Sequence, residues 1–162
     1  SDSDSASSLL KNRPRLVISR TMSKAFAFAG VRLGYMAADA AVIDAMRLVR
    51  LPYHLSSLTQ AASRAAVMES ETMLSNVREI SVQRERVAAE LRKLGLNVYP
   101  SKSNFLLVSG FEDPRAVFDY LMNQGLIVRK TTIESALRIT IGTEPENNKL
   151  LELMPSAIAS LD

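Results

Sequence analysis

Ser19–Tyr35 reads S-R-T-M-S-K-A-F-A-F-A-G-V-R-L-G-Y, and its residue types point to a bound ligand. Lys24 follows an apolar run, Arg15–Ser19, through a small polar turn. Two hydroxyls, Thr21 and Ser23, flank it. Arg32 comes eight residues after the lysine, between Gly30 and Gly34. A ligand bearing an aldehyde and a phosphate needs such a set. The lysine amine forms the Schiff base with the aldehyde. Hydroxyls and an arginine clamp the phosphate, and the arginine fork suits it better than an ammonium does. The glycines let backbone approach a ligand closely. Lys24 alone reads as a surface lysine; the combination does not. The apolar stretch Ala25–Gly30 predicts that the chain is buried where Lys24 sits.

Working outward, Arg15–Ser19 after Pro14 predicts a buried strand, and Arg32–Ala37 a second. Asp39 is placed to cap a helix running to about Val49 on Ala40, Ile43, Met46 and Leu48. A long helical stretch starts near Ser57 with Leu58, Ala61, Ala62 and Ala65 on one face. The polar patch Glu69–Glu71 breaks it. Val77, Ile80, Val87, Leu91 and Leu94 then recur at helical spacing, and Gly95 is placed as a cap. Asn97–Tyr99 and Phe105–Val108 predict strands. Asp113-Pro114 starts a helix on Val117, Phe118 and Leu121 that Gly125 stops. Leu126–Arg129 and Leu137–Ile141 are strand-like. Thr143 and Glu146 form a capping box for a last helix, which Pro155 should kink or end early. Residues 1–8 read as a polar loop or disordered start. The order implies an α/β protein: residues 1–71, with a polar start over 1–13, end one domain, and 72–162 form a small α+β domain.

Composition excludes several classes. Apolar residues make up 47% and charged residues 23%, a globular balance. No cysteine is present, so disulfides and thiolate metal sites are excluded, and no metal site is expected. The net charge of +3 is spread among acids, as at Arg84, Glu85, Arg86 and Glu90, which argues against nucleic acid as partner. No segment approaches the roughly 18 apolar residues of a membrane span. Asp2 and Asp4, without a basic region, do not read as a signal peptide. His54, the one histidine, reads as a loop residue.

The motif S-K-A-F-x-x-A-G-x-R-x-G-Y resembles the cofactor-lysine segment of the fold-type I aminotransferases. With R-L-P-Y-H-L-S-S at Arg50–Ser57, S-x-x-N-F at Ser101–Phe105 and L-R-I-T-I-G-T at Leu137–Thr143, the chain is similar to the histidinol-phosphate aminotransferase family in its actinobacterial form. The resemblance covers about residues 14–154. It implies the end of a fold-type I large domain followed by the small domain, with pyridoxal 5'-phosphate as cofactor. Lys24 would be the Schiff-base lysine and the general acid/base of the proton shift. Ser23 and Arg32 would hold the cofactor phosphate, assisted by Thr21. Arg138 would meet the substrate's anion: the α-carboxylate of glutamate or the phosphate of histidinol phosphate. Arg129 would be a second arginine at the same pocket. Read alone, both arginines are strand-end surface residues.

The implied reaction moves an amino group between glutamate and imidazole-acetol phosphate, giving histidinol phosphate and 2-oxoglutarate in histidine biosynthesis, in a cytoplasmic homodimer. The family's ring-pairing aspartate lies upstream of this motif, and neither Asp2 nor Asp4 is assigned to it. The 162-residue chain is therefore expected to be a truncated form and a poor or inactive catalyst. Competing readings are an aromatic amino acid aminotransferase, a threonine-phosphate decarboxylase-like enzyme, and a non-catalytic cofactor-binding fragment. A regulator with an aminotransferase-like domain lacks support, since no helix-turn-helix is legible.

Overall fold

The computed structural model describes residues 5–159; the expectations placed on residues 1–4, Asp2 and Asp4 included, lie outside them. The chain divides into two compact units, Ser1–Asn76 and Val77–Asp162.

In the first unit, a 3₁₀ turn spans Ala6–Asn12 where a loop is expected, with the Ser5 side chain accepting from the Ser7 amide. Strands β1 (Val17–Thr21) and β2 (Gly34–Ala38) pair antiparallel, Val17 opposite Ala38 and Thr21 opposite Gly34. Helix α1 (Ala40–Val49) is capped as expected: the Asp39 carboxylate accepts from the Ala41 amide at 3.0 Å. Helix α2 (Ser57–Met68) is capped by Ser56 and ends at Glu69, inside the expected break.

Burial in this unit departs from expectation. β1 is mostly exposed instead of buried, and α1 buries no residue. Leu48 is 87% exposed and Leu58 82%. In α2 the buried residue is Ala66, not the expected face of Leu58, Ala61, Ala62 and Ala65. Hydrophobic periodicity identifies which face of an element is apolar; burial also requires a second layer to cover it. Met22 and Ala66 are the buried hydrophobic residues of this unit among those described.

Helix α3 (Ser70–Lys93) carries the chain from the first unit into the second. The second unit holds a four-stranded antiparallel sheet in the order β3-β4-β6-β5, built from β3 (Asn97–Val98), β4 (Phe105–Ser109), β5 (Arg129–Lys130) and β6 (Ala136–Thr140). Helix α4 (Pro114–Asn123) starts with the Asp113 carboxylate accepting from the Arg115 and Ala116 amides. Helix α5 (Glu144–Ala159) closes the chain. Val87 and Leu91 of α3, Val117 and Leu121 of α4, and Leu150 and Met154 of α5 gather with Leu106, Val108, Leu137 and Ile139 in one core. All three helices thus bury their apolar residues on one face of the sheet. Phe105, Leu107 and Arg138 leave by the other face, as strand alternation requires.

Two helices end in the same way. Gly95 takes φ +84°, its amide bonds to Arg92 O and the Leu96 amide reaches Leu91 O. Gly125 takes φ +76°, its amide bonds to Met122 O and the Leu126 amide reaches Leu121 O. Both are Schellman closures, each with a leucine amide bonded to a leucine carbonyl five residues back. The second one corrects the expected strand Leu126–Arg129. Leu126 spends its amide on closing α4, so β5 begins only at Arg129.

Pro155 neither stops nor shortens α5, which runs on to Ala159. A proline inside a helix costs about 3 kcal/mol. Here Met154 and Ala157 on either side of it are fully buried, and that burial offsets the cost in part.

Candidate functional site

The Lys24 segment is the connection between β1 and β2, residues 22–33. The strand pair fixes its two ends. Past Thr21, the Met22 amide still donates to Leu33 O at 3.1 Å. Met22 is the anchor: it is 5% exposed, and its carbonyl accepts from the amides of both Phe26 and Phe28. The turn over 23–26 forms around this carbonyl, and the Ala27 amide closes it on Lys24 O. Ala27 and Arg32 both take positive φ, +54° and +58°, a conformation that L side chains adopt at a cost.

The two hydroxyls are joined. Thr21 Oγ1 donates to Ser23 Oγ at 2.8 Å, and the Ser23 amide donates to Thr21 Oγ1 at 3.1 Å. Ser23 Oγ is therefore the acceptor of this pair. Arg32 donates one NH1 to Ala29 O at 3.1 Å, a bond that braces the second half of the connection.

Lys24 itself is exposed, and so are Thr21 and Arg32. This corrects the expectation that the chain is buried at Lys24. The apolar residues after the lysine are only partly covered: Ala25, Phe26 and Phe28 are half-buried, while Lys24 is exposed.

Gly34 has a role other than admitting a ligand. A Cβ built there would sit 2.8 Å from Arg20 O, so the glycine lets β1 and β2 pair closely. Gly30 has open space around it.

Arg138 lies on β6, opposite Leu107 of β4 and opposite Arg129 of β5. Its guanidinium carbon is 5.0 Å from the centre of the Phe105 ring. Its Nε is buried and has no hydrogen-bond partner, a state that buried polar groups avoid. Arg129 is exposed. The structure therefore places Thr21 at the end of β1, hydrogen-bonded to Ser23, with Ser23, Lys24 and Arg32 on the connection that follows, and Arg129 with Arg138 on one sheet face in the second unit. A cavity of about 870 Å³ beside the loop 130–137 is lined by none of these six residues. His54 is an exposed loop residue. Among the described residues no helix is long and apolar enough to cross a membrane.

Residues 1–153 match the family described as Aminotransferase class I and II. The chain belongs to this family. The histidinol-phosphate aminotransferase of Paenarthrobacter aurescens is 49% identical over 154 residues, covering 95% of this chain and 41% of that protein. That of Mycolicibacterium smegmatis is 51% identical over 152 residues, covering 93% and 40%. The crystal structure of histidinol-phosphate aminotransferase from Sinorhizobium meliloti in complex with pyridoxal-5'-phosphate aligns with a TM-score of 0.82 at 28% identity, over 93% of this chain and 43% of that one. The chain thus spans about 40% of the length of the curated relatives it matches. Its helices and strands are those of part of a fold-type I aminotransferase, and aminotransferases of this family depend on pyridoxal phosphate. Sequence reasoning missed Phe105 as a neighbour of Arg138. A phenylalanine in a strand gives no chemical signal until the register is known.

Proposed function

We propose that this chain is the cofactor-lysine and substrate-anion part of a histidinol-phosphate aminotransferase, which exchanges an amino group between glutamate and imidazole-acetol phosphate. Residues 1–71 belong to the large domain in this reading, and 72–162 form the small domain. The enzyme is a cytoplasmic homodimer. The observation that carries the reading is the set at one short connection: Lys24 beside a coupled Thr21–Ser23 hydroxyl pair, with Arg32 on the same connection. The similarity to curated histidinol-phosphate aminotransferases supports the choice of substrate.

The donor set fits pyridoxal phosphate. When bound, the cofactor supplies an aldehyde for an amine and a ring that accepts electrons from the substrate's Cα. Lys24 Nζ holds the cofactor and moves the proton at the substrate's Cα. Ser23 gives its O–H to the phosphate, and Thr21 orients Ser23 by donating to its oxygen. Arg32 offers the N–H groups that Ala29 O does not occupy, in the fork suited to a phosphate. Arg138, with Arg129 opposite, takes the substrate's anionic group, a carboxylate in one half-reaction and a phosphate in the other. The orphaned Arg138 Nε supports a site built for an anion.

The test is chemical labelling. The chain is mixed with pyridoxal phosphate, reduced with borohydride and mapped by peptide mass. The label is expected on Lys24, and Lys24→Ala should lose it. Labelling spread evenly over the lysines, unchanged in Lys24→Ala, would defeat the reading.

A further inference from the structure

Arg138 sits between Leu137 and Ile139, both essentially without exposure, so its side chain leaves the sheet by the face opposite the core. In the β4–β6 register it stands opposite Leu107, and Phe105 is one diagonal step away on the same face. The guanidinium lies over the Phe105 ring at 5.0 Å. This contact depends on where β4 begins and where β6 ends, and both points are held from α3. Arg84 NH1 donates to Ser103 O at 3.1 Å, just before β4. Gln83 Oε1 accepts from Asn147 Nδ2 at 3.3 Å. Asn147 in turn bonds both backbone groups of Gly142, just after β6: its Oδ1 accepts from the amide, and its Nδ2 donates to the carbonyl, each at 3.0 Å. Arg86 braces Gln83 by donating to the same Oε1 from Nε and NH2. The Ile141 amide donates to Asn104 O at 2.9 Å and ties the two held segments together.

We infer that Phe105 is a positioning residue for Arg138: its ring sets the plane of the guanidinium, and Gln83 and Arg84 hold the two strands in the register that brings ring and guanidinium together. The inference rests on the reading of Arg138 as the anion anchor. An arginine grips a carboxylate or phosphate through two in-plane N–H groups, so the plane must be fixed before the anion arrives. A ring against one face of the guanidinium does this and leaves the N–H edge open. It also lowers the freedom that Arg138 would otherwise lose on binding. Phe105 is not itself placed against substrate.

The experiment uses the 162-residue chain with ¹⁵N-labelled arginine. The Nε–H signal of Arg138 is followed by NMR, and glutarate serves as the dicarboxylate probe. Phe105→Leu should shift this signal and speed its exchange with water, while the backbone amide spectrum stays intact. Phe105→Tyr should leave it in place. Glutarate affinity should fall about fivefold in Phe105→Leu, the size of an aromatic–cation contact, and recover in Phe105→Tyr. Gln83→Met, which keeps the ring but weakens the hold on β6, should move the Nε–H signal in the same direction by less. An Arg138 signal unmoved in both Phe105→Leu and Gln83→Met would overturn the inference. If Arg138→Ala bound glutarate as well as the original chain, the anchor reading would fall; the Nε–H result would still decide whether Phe105 positions the arginine.

Discussion

Arg129 stands directly opposite Arg138 across the β5–β6 pair, two cationic side chains on one face of a sheet. Neither takes part in a salt bridge among the described residues. Like charges placed opposite each other destabilise a strand pair by about 0.2–1 kcal/mol. In the proposed reading, an incoming anion offsets this repulsion.

Arg129→Gln should therefore raise the stability of the second unit slightly while weakening glutarate and phosphate binding. The gain should shrink as salt rises, because Arg129 is exposed and screened. Urea unfolding at low and high salt, together with a binding titration, checks both signs. Lower stability with unchanged binding would remove the argument for a paired anion site.

Gly34→Ala should damage the Lys24 connection without touching it. The new Cβ would meet the Arg20 backbone carbonyl at 2.8 Å, and backbone cannot swing aside as a flexible side chain does. Overpacking of this kind costs about 1–3 kcal/mol. Amide exchange across residues 17–38 should accelerate, and cofactor labelling at Lys24 should become less selective. Equal exchange rates would show that β1 and β2 tolerate a wider spacing.

The start of α5 should carry an acid-dependent part of the second unit's stability. Glu146 accepts from the Thr143 amide at 2.7 Å and from its hydroxyl at 2.8 Å, and these bonds hold its pKa below the ordinary 4.5. A lowered folded pKa means that the contribution is complete above 4.5 and fades as pH falls through the lower folded value. Thermal melting should drop more steeply with acid in the original chain than in Glu146→Gln. Parallel pH profiles would assign the acid loss to other carboxylates.

Residues 15–50 should exchange their amides faster than residues 75–150. The first unit's described hydrophobic core consists of Met22 and Ala66, whereas the second buries three helices against one sheet. Local opening follows the burial that must be undone. Uniform protection, measured on a monomer, would contradict the division into a weakly and a strongly packed unit.

The helix caps were the most legible part of the sequence, because a cap is fixed by local chemistry. Asp39, Asp113 and the Thr143–Glu146 pair cap the helices expected of them, and Gly95 and Gly125 close theirs. Burial in the first unit was not legible. The spacing of Ala40, Ile43 and Met46 marks an apolar face but carries no record of what lies against it. The shortened β5 and the uninterrupted α5 were missed for related reasons: Leu126 is claimed by a helix closure, and the cost of Pro155 is offset in part by packing from distant elements. At the site, the grouping of Thr21, Ser23, Lys24 and Arg32 could be read because they are near in sequence. The hold of Gln83 on Asn147 could not, since it spans 64 positions.

The twin endings of α3 and α4 share the pattern L-x-x-x-G-L, at Leu91–Leu96 and Leu121–Leu126. Their intervening residues, Arg-Lys-Leu in one and Met-Asn-Gln in the other, have almost nothing in common. What the two share is a count. Lineages of this protein should accumulate substitutions freely at the three x positions but reject a one-residue insertion or deletion there, which would turn one leucine of the pair away from the core. Each ending behaves as a small ruler, measured in residues and indifferent to what they are.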